Sequence, residues 1–283
     1  MIFDCGKFQL DLTTPRVMGI VNVTPDSFSD GGKFSATHLA IQHALNLIVE
    51  GADILDIGGE STRPNAAPIS LQQELDRVIP VIEGLAVQIK AKQINIPISI
   101  DTYKPQVMQA AIAAGASIVN DVRALQEGAG LNESALEVVA NSNVGVCLMH
   151  MQGTPQTMQV NPQYNDVVSD VKAFLQARLQ ASIDAGVPAN RILLDPGFGF
   201  GKTREHNITL IQQLESFASL GQPLLVGLSR KSVLGQVTGN DIDARLYASV
   251  AVSVISAMKG AKILRVHDVK ATVEALKVVA AIQ

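Results

Sequence analysis

Residues 192–203 read Ile192-Leu193-Leu194-Asp195-Pro196-Gly197-Phe198-Gly199-Phe200-Gly201-Lys202-Thr203, three successive apolar residues running into a carboxylate and a glycine-rich turn. A strand that is apolar on successive residues is covered on both faces, as in a parallel sheet. The same pattern recurs in both directions along the chain, in Ile96 to Ile100 before Asp101 and in Val144 to Leu148 before Met149. Apolar runs end near Asn22, Ile57, Asp101, Asp121, Met149, Asp195, Leu228 and Val266, and a segment of helical period follows each. Helix punctuation sits between them. Ser70 with Gln73 makes a capping-box pattern, Pro105 suits a first helical turn, and Gly51, Gly115 and Gly186 close apolar-periodic stretches.

Eight such units define an α/β fold. A doubly wound open sheet also alternates strands and helices, but it seldom needs eight consecutive units and gathers its chemistry at one switch point. Polar residues here end nearly every run, and a (β/α)8 TIM barrel brings all strand ends to one mouth. The expectation is a single barrel domain over residues 1–283. Residues 1–14 should form an N-terminal hairpin, with Phe3 to Leu12 plugging the barrel floor. Residues 24–37 and 61–70 exceed the usual short connections and are expected to be mobile active-site loops.

Composition narrows the function classes. The 283 residues are 47% apolar and 17% charged, well inside the range of chains that bury a core. Twenty-two basic against 26 acidic residues give a net charge of -4, and no Lys/Arg run exceeds Arg230-Lys231, so nucleic acid is an unfavourable partner. Leu246 to Met258 is the most membrane-like stretch, shorter than the ~20 residues of a span and broken by three serines. The first ten residues lack the basic start and apolar core of a signal peptide. Cys5 and Cys147 are too few for a disulfide framework. Two reduced thiols and a cytoplasmic location are expected.

Asp101, Asn120 and Asp195 close the third, fourth and sixth runs, and a buried strand is an expensive place for polar side chains unless something satisfies them. They face either a polar ligand or one another in an internal network. Carboxylates and an amide together complement the adjacent N–H groups of a flat amino-oxo nitrogen ring. Asn22 ends the first run, either bonding the following turn or offering an amide oxygen suited to Mg²⁺. After the second run, Thr62 and Arg63 suit phosphate oxygens, although Arg63 could equally pair with a surface carboxylate.

Gly201-Lys202-Thr203 invites a phosphate-loop reading but fails its spacing, because the first glycine of that motif would fall on Pro196. The glycines instead let the turn cross the barrel mouth, where Phe198 could stack on a ring. Ser229-Arg230-Lys231-Ser232 opens a helix and places two cations where an anion is favoured. Arg265 and His267 share one side of the eighth run, and the loops after strands seven and eight are the common phosphate site of this fold. His38, His43 and His206 have no second metal ligand at useful spacing, His150 reads as packing, and no zinc site is expected.

Together these segments resemble the dihydropteroate synthases, a family of pterin-binding enzymes, over essentially the whole chain. The likeness is carried by Asn22 to Gly32, Gly59 to Pro64, Asp195 to Thr203, Ser229 to Ser232 and Arg265 to Asp268. Asn65 stands where many members have glycine. The resemblance implies condensation of 6-hydroxymethyl-7,8-dihydropterin diphosphate with p-aminobenzoate to dihydropteroate and diphosphate in folate synthesis, a homodimer, and a sulfonamide target.

By that likeness Asp101, Asn120, Asp195 and Lys231 hold the pterin. Thr62, Arg63, Arg265 and His267 surround the diphosphate, with Asn22 on its Mg²⁺. Ser232, Phe28 and Pro64 complete the aminobenzoate pocket. Catalysis then falls to Asp101, Arg63, Lys231, Arg265 and His267, and Arg265→Ala should weaken diphosphate binding while leaving the pterin pocket intact. A barrel methyltransferase would bind a similar ring without an anion site, and a non-catalytic paralogue should have lost anion-site or loop residues.

Overall fold

A computed structural model of the chain describes residues 1–24, 33–61, 66–128, 133–154 and 156–282. Two short antiparallel strands, β1 (Ile2–Cys5) and β2 (Phe8–Asp11), form the N-terminal hairpin. Eight parallel strands follow: β3 (Arg16–Asn22), β4 (Ile54–Gly58), β5 (Ile98–Asp101), β6 (Ile118–Asp121), β7 (Gly145–Met149), β8 (Ile192–Asp195), β9 (Leu224–Val226) and β10 (Ala261–Val266). They close into a barrel, with β10 pairing with both β9 and β3. The eight runs read from the sequence are these strands, and their ends agree to within two residues.

The helices are α1 (Lys33–Val49), α2 (Leu71–Ala91), α3 (Pro105–Ala114), α4 (Ala135–Ala140), α5 (Val167–Asp184), α6 (Arg204–Gln212), α7 (Ser232–Thr238), α8 (Leu246–Met258) and α9 (Val269–Ile282). Ser70 caps α2: its hydroxyl accepts from the Gln73 amide at 3.2 Å, and its own N–H donates to the Gln73 side chain at 2.9 Å. Pro105 is the first residue of α3, and Gly115 ends that helix at a φ of 119°. The connection expected over 24–37 is shorter than read. The helix that buries Ala40, Ala44 and Leu47 extends upstream to Lys33, because Ala36 and Thr37 continue its turn despite their loop-like neighbours.

Two cores result. The larger lies between barrel and helices, and the smaller fills the barrel floor, where Phe3, Cys5, Phe8 and Leu12 of the hairpin segment pack on Met18, Ile54, Leu193 and Ile263. Gly145 makes room for that plug, since a Cβ there would lie 2.4 Å from the Phe3 ring and 2.9 Å from Cys5 Cβ. With the floor closed by apolar side chains, the inward polar residues are left at the carboxyl ends of the strands. Among the described residues no helix is long and apolar enough to cross a membrane.

Candidate active site

Inside the mouth, strands far apart in sequence present their side chains to one centre. Arg265 on β10 reaches across β3 to β4 and β5, donating from Nε to Asp56 at 2.6 Å and from Nη2 to Asp101 at 2.7 Å. Asn120 on β6 donates its amide to the same Asp56 oxygen at 3.2 Å. Asp56 is fully buried, and its second oxygen finds no hydrogen-bond partner among the described residues. The structure thus brings Asp101, Asn120 and Arg265 together, joining a residue expected at the diphosphate to two expected at the ring. The hub that joins them is Asp56, which lies within β4. A carboxylate two residues before the strand-end glycine, on the same face, was the signal available.

Asp195 ends β8, and one of its oxygens accepts from the Gly197 amide at 2.7 Å. Lys231, at the start of α7, donates to the Phe198 carbonyl at 2.5 Å and lies 4.6 Å from the centroid of the Phe200 ring. Burial raises Asp195, opposed first by the Lys231 charge. Burial likewise lowers Lys231 to about 8, with Asp195 resisting. Asp101 is pushed up to about 7 by burial, against the pull of Arg265 and reinforced by the neighbouring Asp56. Burial would weaken Arg265 as an acid-held cation, but Asp56 and Asp101 outweigh it and raise its pKa.

At the rim, Asn22 ends β3 opposite Gly58. A Cβ on Gly58 would lie 3.9 Å from the Asn22 amide oxygen and 3.6 Å from an Asp101 oxygen, so the missing side chain lets these two oxygens face one space. His267 follows β10, and both its backbone N–H and its Nδ1 meet the hydroxyl of Ser229, at 3.2 and 3.1 Å. Ser232 is exposed as the first residue of α7. Phe28, Thr62, Arg63 and Pro64 lie outside the described residues.

Two expectations need correction. Phe198 does not stack in the mouth: its side chain is fully buried in the larger core, and Phe200 provides the aromatic surface beside Lys231. In a turn of alternating glycines the two phenylalanines point to opposite sides, which the sequence could not rank. Arg230 does not join Lys231 in facing an anion. It makes a two-pronged pair with Asp268, from Nε at 3.0 Å and Nη2 at 2.5 Å, because its φ of 58° turns the side chain back toward that residue. His150 packs as expected, edge-on to Phe174 at 4.9 Å.

Sequence reading also missed a buried ion cluster beside Asp101. Lys104 bonds Glu60 at 2.8 Å, Glu74 at 2.6 Å and the Ile69 carbonyl at 3.1 Å. It ties residues from both ends of the 61–68 connection to the start of α3.

A family model described as pterin binding enzyme matches residues 18–267, which hold the barrel strands except the first two residues of β3. The chain belongs to the pterin-binding enzyme family. Within that family it falls among the dihydropteroate synthases, transferases to which it is similar along nearly its whole length. It is 49% identical to the dihydropteroate synthase of Escherichia coli strain K12 over 273 residues, 96% of this chain and 93% of that one. Among solved structures, the Xanthomonas albilineans dihydropteroate synthase with 4-aminobenzoic acid superposes with a TM-score of 0.91 at 49% identity, covering 100% of this chain and 98% of that chain. The same organism's enzyme in complex with 7,8-dihydropteroate gives a TM-score of 0.89 at 47% identity, with coverages of 100% and 99%.

Proposed function

We propose that this family member condenses 6-hydroxymethyl-7,8-dihydropterin diphosphate with p-aminobenzoate, releasing diphosphate and forming 7,8-dihydropteroate for folate synthesis in the cytoplasm. The observation that carries the reading is the buried Asp56-Arg265-Asp101 bridge with Asn120, a set of ring-complementary groups under a cation at the mouth. The 4-aminobenzoic acid and 7,8-dihydropteroate held by the Xanthomonas relatives support it.

The bond broken joins an exocyclic methylene carbon to a diphosphate oxygen, and its electron pair leaves with the diphosphate. The cation left behind is delocalised into the electron-rich ring, which Asp101, Asn120, Asp195 and Lys231 hold. Asp101 offsets the positive charge that spreads there. Arg265, His267, Arg63 and Thr62 stabilise charge on the departing anion, an electrostatic contribution that often dominates catalysis. The aniline nitrogen already carries a free lone pair at neutral pH, forms the new C–N bond and then sheds a proton, so no dedicated base is needed. Ser232, Phe28 and Pro64 border the aminobenzoate, and the expected loops over 24–37 and 61–70 would keep water from the cation.

The donor set fits Mg²⁺. Asn22 offers a hard neutral oxygen facing the same space as Asp101, while among the described residues no cluster of three His, Cys, Asp or Glu could hold a cation alone. That is the arrangement of an ion bound mainly by substrate oxygens and water. The chemistry it supplies when bound is further stabilisation of charge on the diphosphate. We also infer a homodimer, supported by an apolar stripe on α8, where Tyr247, Ile255 and Met258 are 84%, 44% and 60% exposed.

The test is incubation with both substrates, with and without Mg²⁺, measuring diphosphate and dihydropteroate together. Equal yields of the two, stimulated by Mg²⁺ and competed by a sulfonamide, are expected. No dihydropteroate under any condition would refute the assignment. Diphosphate released without aminobenzoate would support ionisation before attack.

A further inference from the structure

The lysine of the Gly201-Lys202-Thr203 triplet has no phosphate-loop spacing, and its side chain points into the protein. Lys202 is 3% exposed. Its Nζ donates to the carbonyls of Gly197 at 2.8 Å and Phe200 at 3.0 Å, reaches that of His150 at 3.4 Å, and meets His150 Nδ1 at 2.9 Å. Among the described residues no carboxylate makes an ion pair with it; backbone carbonyls accept from it directly, burial lowers its pKa well below the ordinary lysine value, and the Asp195 charge opposes that shift. Burial, then the Lys202 charge, holds His150 down at about 2, so its ring is neutral and free to accept.

The turn around this amine cannot hold its shape unaided. Gly197, Gly199 and Gly201 sit at φ values of 69°, 81° and 62°, and a Cβ on Gly197 would lie 1.8 Å from the His150 carbonyl oxygen. Each of the five carbonyls from 197 to 201 accepts from a side chain. Gly197 and Phe200 accept from Lys202. Phe198 accepts from Lys231 at 2.5 Å, Gly199 from Gln159 at 2.6 Å and Gly201 from Tyr164 at 2.7 Å. The buried amine thus holds two of the five carbonyls in the strip of backbone against which Lys231 rests.

We propose that Lys202 is a positioning residue for the ring site: its amine, donating to the Gly197 and Phe200 carbonyls, braces the 197–201 turn and so holds the Phe198 carbonyl and the Phe200 ring where Lys231 meets them. The inference rests on the reading of Lys231 as a pterin ligand. Without the amine, carbonyls that now share a donor repel one another, the glycines let the turn relax, and the Lys231 amine and the Asp195 carboxylate lose their common frame. Displacements of about 1 Å in such frames cost up to ~100-fold in activity.

The test compares wild type, Lys202→Met and Lys202→Ala by thermal unfolding and by KM for each substrate. Lys202→Met should raise the KM for dihydropterin diphosphate roughly tenfold or more, with a smaller change for p-aminobenzoate. Lys202→Ala should regain affinity with n-propylammonium, which restores an amine in the cavity, and not with n-propanol. A pterin KM unchanged in Lys202→Met overturns the proposal. So does an equal rise in a core variant of matched thermal stability, such as Leu175→Ala, because the effect would then be loss of fold.

Should both lysine variants fail to fold, Gln159→Ala combined with Tyr164→Phe removes two other donors to the turn from its periphery. The proposal expects a several-fold rise in pterin KM from this pair and fails if there is none. A wild-type chain that does not bind dihydropterin diphosphate overturns the ring-site reading itself, and this inference with it.

Discussion

Arg265 is held by two carboxylates, and that changes what its removal does. Asp56 is fully buried, so Arg265→Ala leaves it and Asp101 without a countercharge. Stranding one partner of a buried ion pair costs about 3–5 kcal/mol. The sequence-based expectation of a local loss confined to the diphosphate is therefore revised: Arg265→Ala should lower stability to denaturant and weaken pterin and diphosphate binding together, and Asp56→Asn should restore part of the stability. The titration of the site sets its pH profile. In the proposed mechanism Asp101, raised to about 7, acts ionised against ring charge, so turnover should fall as pH drops through 7. Lys231, lowered to about 8, acts protonated as a donor, so turnover should fall as pH rises through 8. A bell-shaped profile is expected, Asp101→Asn should remove its acid limb while lowering kcat more than pterin affinity, and steady-state kinetics across pH check both. Asp101, Asn120 and Arg265 were legible in sequence because each lies at, or one residue before, the end of a strand, where a polar side chain needs a reason. Asp56 was not, because its partner lies 209 residues away and only closure of β10 onto β3 brings it near.

The strands and helices were legible for a different reason. Continuous apolar runs, a capping box and helix-ending glycines are local signals, and a parallel barrel repeats them eight times. Boundaries were weaker where local chemistry conflicts with packing, as at the start of α1. The place of the β1–β2 hairpin depends on a distant glycine, Gly145. Phe3→Ala empties a fully buried site in the floor, for which the typical cost is about 3–5 kcal/mol, or roughly 10 °C in Tm for a chain of this size. Gly145→Ala should destabilise as well, since its Cβ would overlap the Phe3 ring. Calorimetry on each variant tests this. Turnover well below the transition should stay near wild type, because the floor lies at the end of the barrel opposite the mouth.

At the scale of the whole molecule, the apolar stripe on α8 and the buried thiols each make a measurable claim. If the stripe carries the proposed dimer contact, sedimentation should give the mass of two chains for wild type and of one for Ile255→Glu, which places a charge on it. Cys5 lies in the hairpin and Cys147 in β7, both without solvent exposure. Burial pushes Cys5 up to about 12 and Cys147 well above its ordinary value, so neither offers a thiolate to an alkylating reagent while the protein is folded. The chain thus carries two native chemical clocks. Pulsed alkylation read by mass spectrometry would time departure of the plug at Cys5 and, at Cys147 in the strand the plug packs on, whether the cylinder opens with it or later, with no label or engineered residue required.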